Sequence, residues 1–192
     1  MLSEVFKLFW KTVEMKDARR INSQTPPTEI EQFCDIQYID DGLWQHRLDV
    51  YSKSGKLSHR PVIIDIHGGG WMYGTKEINK NYCLVLAQND YVVNINYRLA
   101  PDFSVADQLR DCFFAFKWVS TNIEKYGGDL NDVFVTGDSA GGFLAAYSAL
   151  LNSSDKLRKV FGVTESGLEF RACGLTSPVC FMNTHTFQDV YY

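Results

Sequence analysis

Proline is scarce in this chain, at 5 of 192 residues, and neither one sign of charge nor apolar character is sustained over any long run. Few prolines among 45% hydrophobic and 22% charged residues exclude a disordered, low-complexity chain. Without a basic tract there is no electrostatic footprint for nucleic acid. A formal charge of −4 is better suited to a small, largely uncharged partner. No segment approaches the roughly 20 apolar residues of a transmembrane helix. Within the first twenty residues Glu4, Lys7, Lys11 and Glu14 interrupt each apolar run before it reaches signal-peptide length. The expected location is therefore the cytoplasm. Paired cysteines are also missing: Cys34, Cys83, Cys112, Cys173 and Cys180 are odd in number and scattered, with no Cys-x-x-Cys. That pattern points away from zinc or thiol redox chemistry and toward reduced, mostly buried thiols.

What is present reads as one domain over residues 1–192. In residues 1–22 Leu2, Val5, Phe6, Phe9, Trp10 and Val13 recur at helical spacing. An amphipathic helix follows, and a lid over an apolar pocket, a packing face and a membrane contact all fit its stripe. Residues 23–28 form a linker. Ile36 to Ile39 and Trp44 to Tyr51 read as an antiparallel hairpin turned at Asp41-Gly42. Beyond them, short apolar runs at Val62 to Ile66, Tyr91 to Asn96, Val133 to Thr136 and Ala172 to Thr176 are separated by helical stretches. This alternation predicts an α/β fold, a mostly parallel sheet with helices on both faces. The clearest helix runs from about Val105 to Tyr126, with Leu109, Cys112, Phe113, Phe116, Val119 and Ile123 on one face and a stop at Gly127-Gly128.

Two glycine-rich motifs carry the chemistry. Gly137-Asp138-Ser139-Ala140-Gly141 has the pattern Gly-x-Ser-x-Gly between a strand candidate and a helix candidate that begins at Gly142. A sharp turn there lifts the Ser139 side chain above the sheet, and the helix then aims its positive end at a carbonyl oxygen under attack. The pattern alone is short enough to arise by chance in loops. His67-Gly68-Gly69-Gly70-Trp71, directly after a buried strand, weighs against chance, because it places exposed N–H groups at the carboxyl end of the sheet where ligands bind. Such a loop can bring two donors to a substrate carbonyl, and the N–H of Ala140 supplies a third.

Together with Leu48-Asp49-Val50-Tyr51, Asn96-Tyr97-Arg98-Leu99-Ala100-Pro101 and Asp111-Cys112, these motifs resemble the hormone-sensitive-lipase-like branch of the α/β-hydrolases. The resemblance runs from about Ile36 to Val179, with Ser139 lying 72 positions after His67. It implies an α/β-hydrolase fold with Ser139 as nucleophile and Gly69, Gly70 and Ala140 as oxyanion-hole donors. It makes His67 a loop-shaping residue and not a base. It further implies hydrolysis of carboxylic esters, a small-molecule ester as partner, and no metal or organic cofactor.

The resemblance breaks off before the acid and histidine. In this fold both follow the serine, acid first, and His185 is the one histidine after Ala140. Its candidate acids, Asp155, Glu165 and Glu169, do not follow a core strand, and Asp189 comes after it. Each further strand-helix unit takes roughly 30 residues, while only 13 remain after Val179. His185 therefore reads as a loop or surface residue, as do His46 and His59. The expectation is an amino-terminal portion of a serine esterase or lipase, its carboxy-terminal strands missing, inactive or very weak by itself. Two other readings stay open: a non-catalytic small-molecule-binding protein on a hydrolase scaffold, and an amide hydrolase or deacetylase.

Overall fold

The computed structural model describes residues 2–55 and 59–180, with side chains from Leu8 onward. Two apolar runs rich in β-branched residues form its centre, β3 (Arg60–Ile66) and β4 (Tyr91–Ile95), paired in parallel from Val62 with Tyr91 to Ile66 with Ile95. Such continuous runs require cover on both faces. On one face Val62, Ile64 and Ile66 join Leu109, Cys112, Phe113, Phe116 and Val119 of α3 (Val105–Asn122) and Leu144 and Ala145 of α4 (Ser139–Asn152). On the other, Val92 and Tyr51 meet Cys83, Leu84 and Ala87 at α2 (Lys80–Leu86). Burial of each large side chain in such clusters contributes roughly 1.5–3 kcal/mol before the entropy cost of ordering.

The remaining described strands are β1 (Ile30–Gln37), β2 (Arg47–Lys53), β5 (Gly128–Asp138) and β6 (Phe170–Thr176). Their order is β1-β2-β4-β3-β5-β6, antiparallel from β1 through β4 and parallel from there to β6. The predicted mostly parallel sheet with helices on both faces and an antiparallel amino-terminal hairpin is thus the observed one. α1 (Leu2–Ser23) precedes the sheet, and α5 (Asp155–Phe161) lies between α4 and β6.

Several local expectations need correction. The hairpin is not closed at Asp41-Gly42: β1 ends at Gln37 and β2 starts at Arg47, so nine residues connect them. Gly42 does have a positive φ of 79°, but within an Asx turn in which the Leu43 N–H donates to the Asp41 side chain at 3.0 Å. α3 stops at Asn122 and passes through a single 3-10 turn, so that Gly128 already opens β5. Its other end is stronger than expected, with a capping box in which Ser104 and Asp107 satisfy each other's backbone N–H. Cys83 and Cys112 are buried, whereas Cys34 and Cys180 are exposed.

His46 was expected at the surface and is instead buried. Its Nδ1 lies 2.7 Å from Asp41 and its Nε2 3.2 Å from Asp111, a carboxylate that also takes two guanidinium nitrogens and the backbone N–H of Arg98. Asp111 is fully buried on α3, so this cluster ties the β1–β2 connection and the segment after β4 onto that helix. Burial works against the His46 charge, but the Asp111 and Asp41 carboxylates outweigh it and raise its pKa. A raised histidine pKa contributes stability that is full below the ordinary value of about 6.5 and is lost as pH rises through the folded-state value. Chemical denaturation of the parent and His46→Gln should therefore give a gap of about 1.5–3 kcal/mol near pH 5, on the scale of charge-assisted hydrogen bonds. The gap should narrow on going to pH 9, and a gap independent of pH would show that the ring acts through packing alone.

Candidate active site

The pairing of β3 with β5 brings Ile66 beside Gly137, so the two glycine-rich motifs, distant in sequence, meet at the carboxyl end of the sheet. Ser139 is the first residue of α4 and has a φ of 51°. This left-handed conformation is unusual for a residue with a side chain and is held only where the surroundings enforce it. The enforcement is steric. A Cβ on Gly141 would run into the carbonyl oxygens of Ile66 and His67, and one on Gly137 would meet the Gly141 backbone. The first turn of α4 thus lies directly on the end of β3, closer than any larger residue permits.

The loop after β3 is held from several sides. The Gly68 N–H donates to Asp138 Oδ1 at 2.9 Å, and the Gly69 carbonyl accepts from Met72 and Tyr73 at 3.2 and 3.0 Å. Trp71 is buried edge-on against Phe143 of α4, and its carbonyl accepts from Gln108 and from the Ala100 N–H. Among the described residues the N–H groups of Gly69 and Gly70 have no hydrogen-bond partner. Further along, the Lys76 ammonium lies 3.0 Å from Asp49 of β2, and its backbone is clasped by Asn94 and Asn96.

His67 is fully buried, stacked on Tyr97 at 4.4 Å, and donates Nδ1–H to the Gly68 carbonyl at 2.7 Å. Burial lowers its pKa to about 4, leaving a neutral ring that shapes the loop. A carboxylate cluster lies beneath the same loop. Asn79 donates to both Asp65, at 3.0 Å, and Asp138, at 2.8 Å. Asp65 is buried on β3, and the loss of water there, aided by the Asp138 charge, raises its pKa to about 7.

Above the loop is a cleft of about 440 Å³ whose floor includes Gly68, Gly69, Gly70, Asp138 and Ser139 and whose wall includes α1. Trp10 stacks on Tyr73 at 5.3 Å and lies over Gly70, leaving no room for a Cβ there. The Tyr73 hydroxyl donates to Asp17 at 3.3 Å, and Arg20 donates to the Ile78 carbonyl at 3.2 Å. Of the apolar stripe anticipated on α1, Trp10 and Val13 face the cleft, while Phe9 is exposed.

The structure therefore gathers Ser139, Gly69 and Gly70 around one cleft, with Ala140 buried next to Ser139 in the first turn of α4. It gathers no base with them: among the described residues no histidine hydrogen-bonds to the Ser139 hydroxyl. His46 belongs to the Asp111 cluster, His59 is exposed, and His185 and Asp189 lie outside the described residues. Among the described residues no cluster of histidine, cysteine or carboxylate side chains could hold a metal ion, and no helix is long and apolar enough to cross a membrane. Sequence reasoning missed Asp65, Asn79 and the cross-link made by Asp138. Asp138 lay inside the motif in plain view, whereas Asn79 carried no signal.

Comparison with known proteins agrees with this geometry. Residues 48–172 match the family BD-FAE. A versiconal hemiacetal acetate esterase of Dothistroma septosporum is 35% identical over 112 residues, 57% of this chain and 33% of that protein. The carboxylesterase NlhH of Mycobacterium tuberculosis is 32% identical over 145 residues, 72% of this chain and 45% of that protein. The chain thus spans less than half the length of these two relatives. The crystal structure of esterase B from Lactobacillus rhamnosis inhibited by a tributyrin phosphonate superposes with a TM-score of 0.92 at 31% identity, over 99% of this chain and 62% of that one. With its sheet order, its serine turn and its glycine loop, the chain belongs to the BD-FAE family, among the hormone-sensitive-lipase-like esterases of the α/β-hydrolase fold.

Proposed function

We propose that this chain carries the nucleophile and oxyanion-binding half of a serine carboxylic-ester hydrolase. The observation that carries the reading is Ser139 at φ 51°, at the positive end of α4 and beside a glycine loop with two unpaired N–H donors. The Ser139 Oγ attacks the ester carbonyl. The oxygen that becomes negative is held by the N–H groups of Gly69, Gly70 and Ala140, and its electrons return to expel the alkoxide, which leaves as the alcohol. Water then releases the acid from the acyl-enzyme. Preorganised donors of this kind act strongly because they need no reorganisation as charge develops.

Two proton transfers in that sequence need a base and its acid, which in this fold follow the serine. We place both beyond Tyr192, in keeping with the part of the relatives' length that the chain spans. The substrate is a small-molecule ester entering a cleft with an aromatic wall, and α1 acts as a lid through Trp10. A ligand-binding protein without turnover is the second reading, favoured by the lack of a histidine on Ser139 among the described residues.

In an active full-length protein Ser139→Ala should abolish hydrolysis of an activated short-chain ester while leaving the unfolding transition intact. Turnover retained above about one hundredth of the parent would refute the assignment, since losing such a nucleophile costs about 10⁶ in kcat. Residues 1–192 alone should hydrolyse the same ester far below the usual enzymatic rate of about 10 s⁻¹, because a serine hydroxyl is a weak nucleophile without a positioned base. A normal rate that His185→Ala destroys would make His185 the base after all. Gly70→Ala, which pushes a methyl into the Trp10 ring and strains a φ of 57°, should lower kcat by about 10²-fold, the scale of a lost oxyanion donor. An unchanged kcat would give the loop another role.

A further inference from the structure

Asp138 stands at the N-cap of α4, with an extended φ and ψ of −110° and 146°. An aspartate in that place ordinarily turns its carboxylate back onto the N–H groups of the first helical turn. Here the side chain makes no capping hydrogen bond. It reaches across to the other motif instead, where Oδ1 accepts from the Gly68 N–H at 2.9 Å and from Asn79 at 2.8 Å. Asn79 is itself fixed, its other amide hydrogen going to the buried Asp65 at 3.0 Å. Even the space is committed: a Cβ on Gly68 would strike the Asp138 carboxylate.

We propose that Asp138 is a positioning residue that clamps the glycine loop to the serine turn, with Asn79 as the strut that sets its direction. Turning away from α4 has two effects that work together. It leaves the N–H groups at the start of the helix, Ala140 among them, without a side-chain acceptor that would compete with an incoming oxyanion. It also consumes the Gly68 N–H, so that the donors left facing the cleft are those of Gly69 and Gly70. An ordinary cap would satisfy the helix at the expense of both. A mere helix-start aspartate would stabilise α4 and have no bearing on the loop.

The role in catalysis rests on the esterase reading, but the clamp itself does not, and the experiment separates the two. Hydrogen exchange of the 67–72 segment is measured on residues 1–192 for the parent, Asp138→Ala, Asp138→Asn and Asn79→Ala. The Gly68 amide should be protected in the parent and at least about 10-fold faster in Asp138→Ala. Asp138→Asn, which keeps an oxygen in the Oδ1 place, should stay close to the parent, and Asn79→Ala should fall between. Equal exchange in the parent and Asp138→Ala would overturn the clamp whether or not the protein is an esterase.

The second arm uses the active full-length protein, with kcat expressed per serine titrated by a phosphonate ester, so that misfolded molecules do not count. Asp138→Ala should lower kcat by about 10-fold to 10²-fold, up to the cost of one oxyanion donor, at a KM within a few fold of the parent. Asp138→Asn should restore most of the rate. A variant that merely folds less well would lose titratable serine and keep kcat per site, and that result would remove the positioning role. Labelling that persists in Ser139→Ala would sink the esterase reading and leave the exchange result standing.

Discussion

The contact on which the site depends is backbone against backbone. At the carboxyl end of the sheet the first turn of α4 rests on the carbonyls of Ile66 and His67 with nothing between them but the hydrogens of Gly141 and Gly137. No side-chain interaction could substitute for it, because the distance is shorter than a methyl group allows. Ser139 is caught between β5 and this contact and has to take the left-handed conformation that raises its hydroxyl toward the cleft. Strain of roughly 1–3 kcal/mol at such a position is offset by the core under it, where Leu144 and Ala145 of α4 share one buried cluster with Val62 and Ile64 of β3. Rigidity below is what permits strain above.

That division explains how far the sequence could be read. The strands Val62 to Ile66 and Tyr91 to Ile95 are legible because a strand buried on both faces has little choice but to be apolar throughout. The two glycine motifs are legible for the same kind of reason, since each glycine is demanded by a clash or by a positive φ. The apolar face of α3 from Leu109 to Val119 is likewise complete in the pattern, because helical period and burial coincide there. What the sequence conceals is polar and long-range. His46 looked exposed because its neighbours are polar, yet those neighbours include Asp41, and the burial comes from Asp111, 65 positions away, with Arg98 on the same carboxylate. Asn79 bridges Asp65 and Asp138 from opposite sides in the sequence, and no local period announces such a bridge. Turn closure at Asp41-Gly42 failed for a related reason. The dipeptide supplies the positive φ, but the Asp41 side chain is drawn to Leu43 and His46 and opens a longer connection.

α1 shows how composition under-determines a helix that packs on a site and not on a core. Its stripe is amphipathic enough for several roles, and the structure puts Trp10, Val13 and Asp17 against the cleft wall. The fastening is uneven. Asp17, Arg20 and Ile21 make polar links to Tyr73, Ile78 and Asn81 near its carboxyl end, whereas Leu8 and Phe9 near the other end are exposed. Motion of this helix would therefore swing Trp10 away from Gly70 about the better-anchored end. Because the Trp10 ring lies over the glycine loop, such a swing changes the room above Gly70 directly.

A buried carboxyl beneath the candidate site is a burden unless it does something. Asp65 sits on the α2 face of β3, where an apolar residue would pack with Cys83 at less cost, and its pKa near 7 records that cost. The sign follows from the shift: the acid form suits the fold, so Asp65 favours the folded state fully below the ordinary carboxylate range and less as pH rises toward 7. Replacing a buried polar group by an apolar one of similar shape is often neutral or stabilising, so stability alone gives no reason for an aspartate here. Besides the Cys83 thiol it contacts Asn79, whose remaining hydrogen bond is to Asp138, and Asp138 holds the glycine loop. The chain of contacts ends at the donors beside Ser139, so the loss of stability at Asp65 is best understood as the cost of fixing where those donors point.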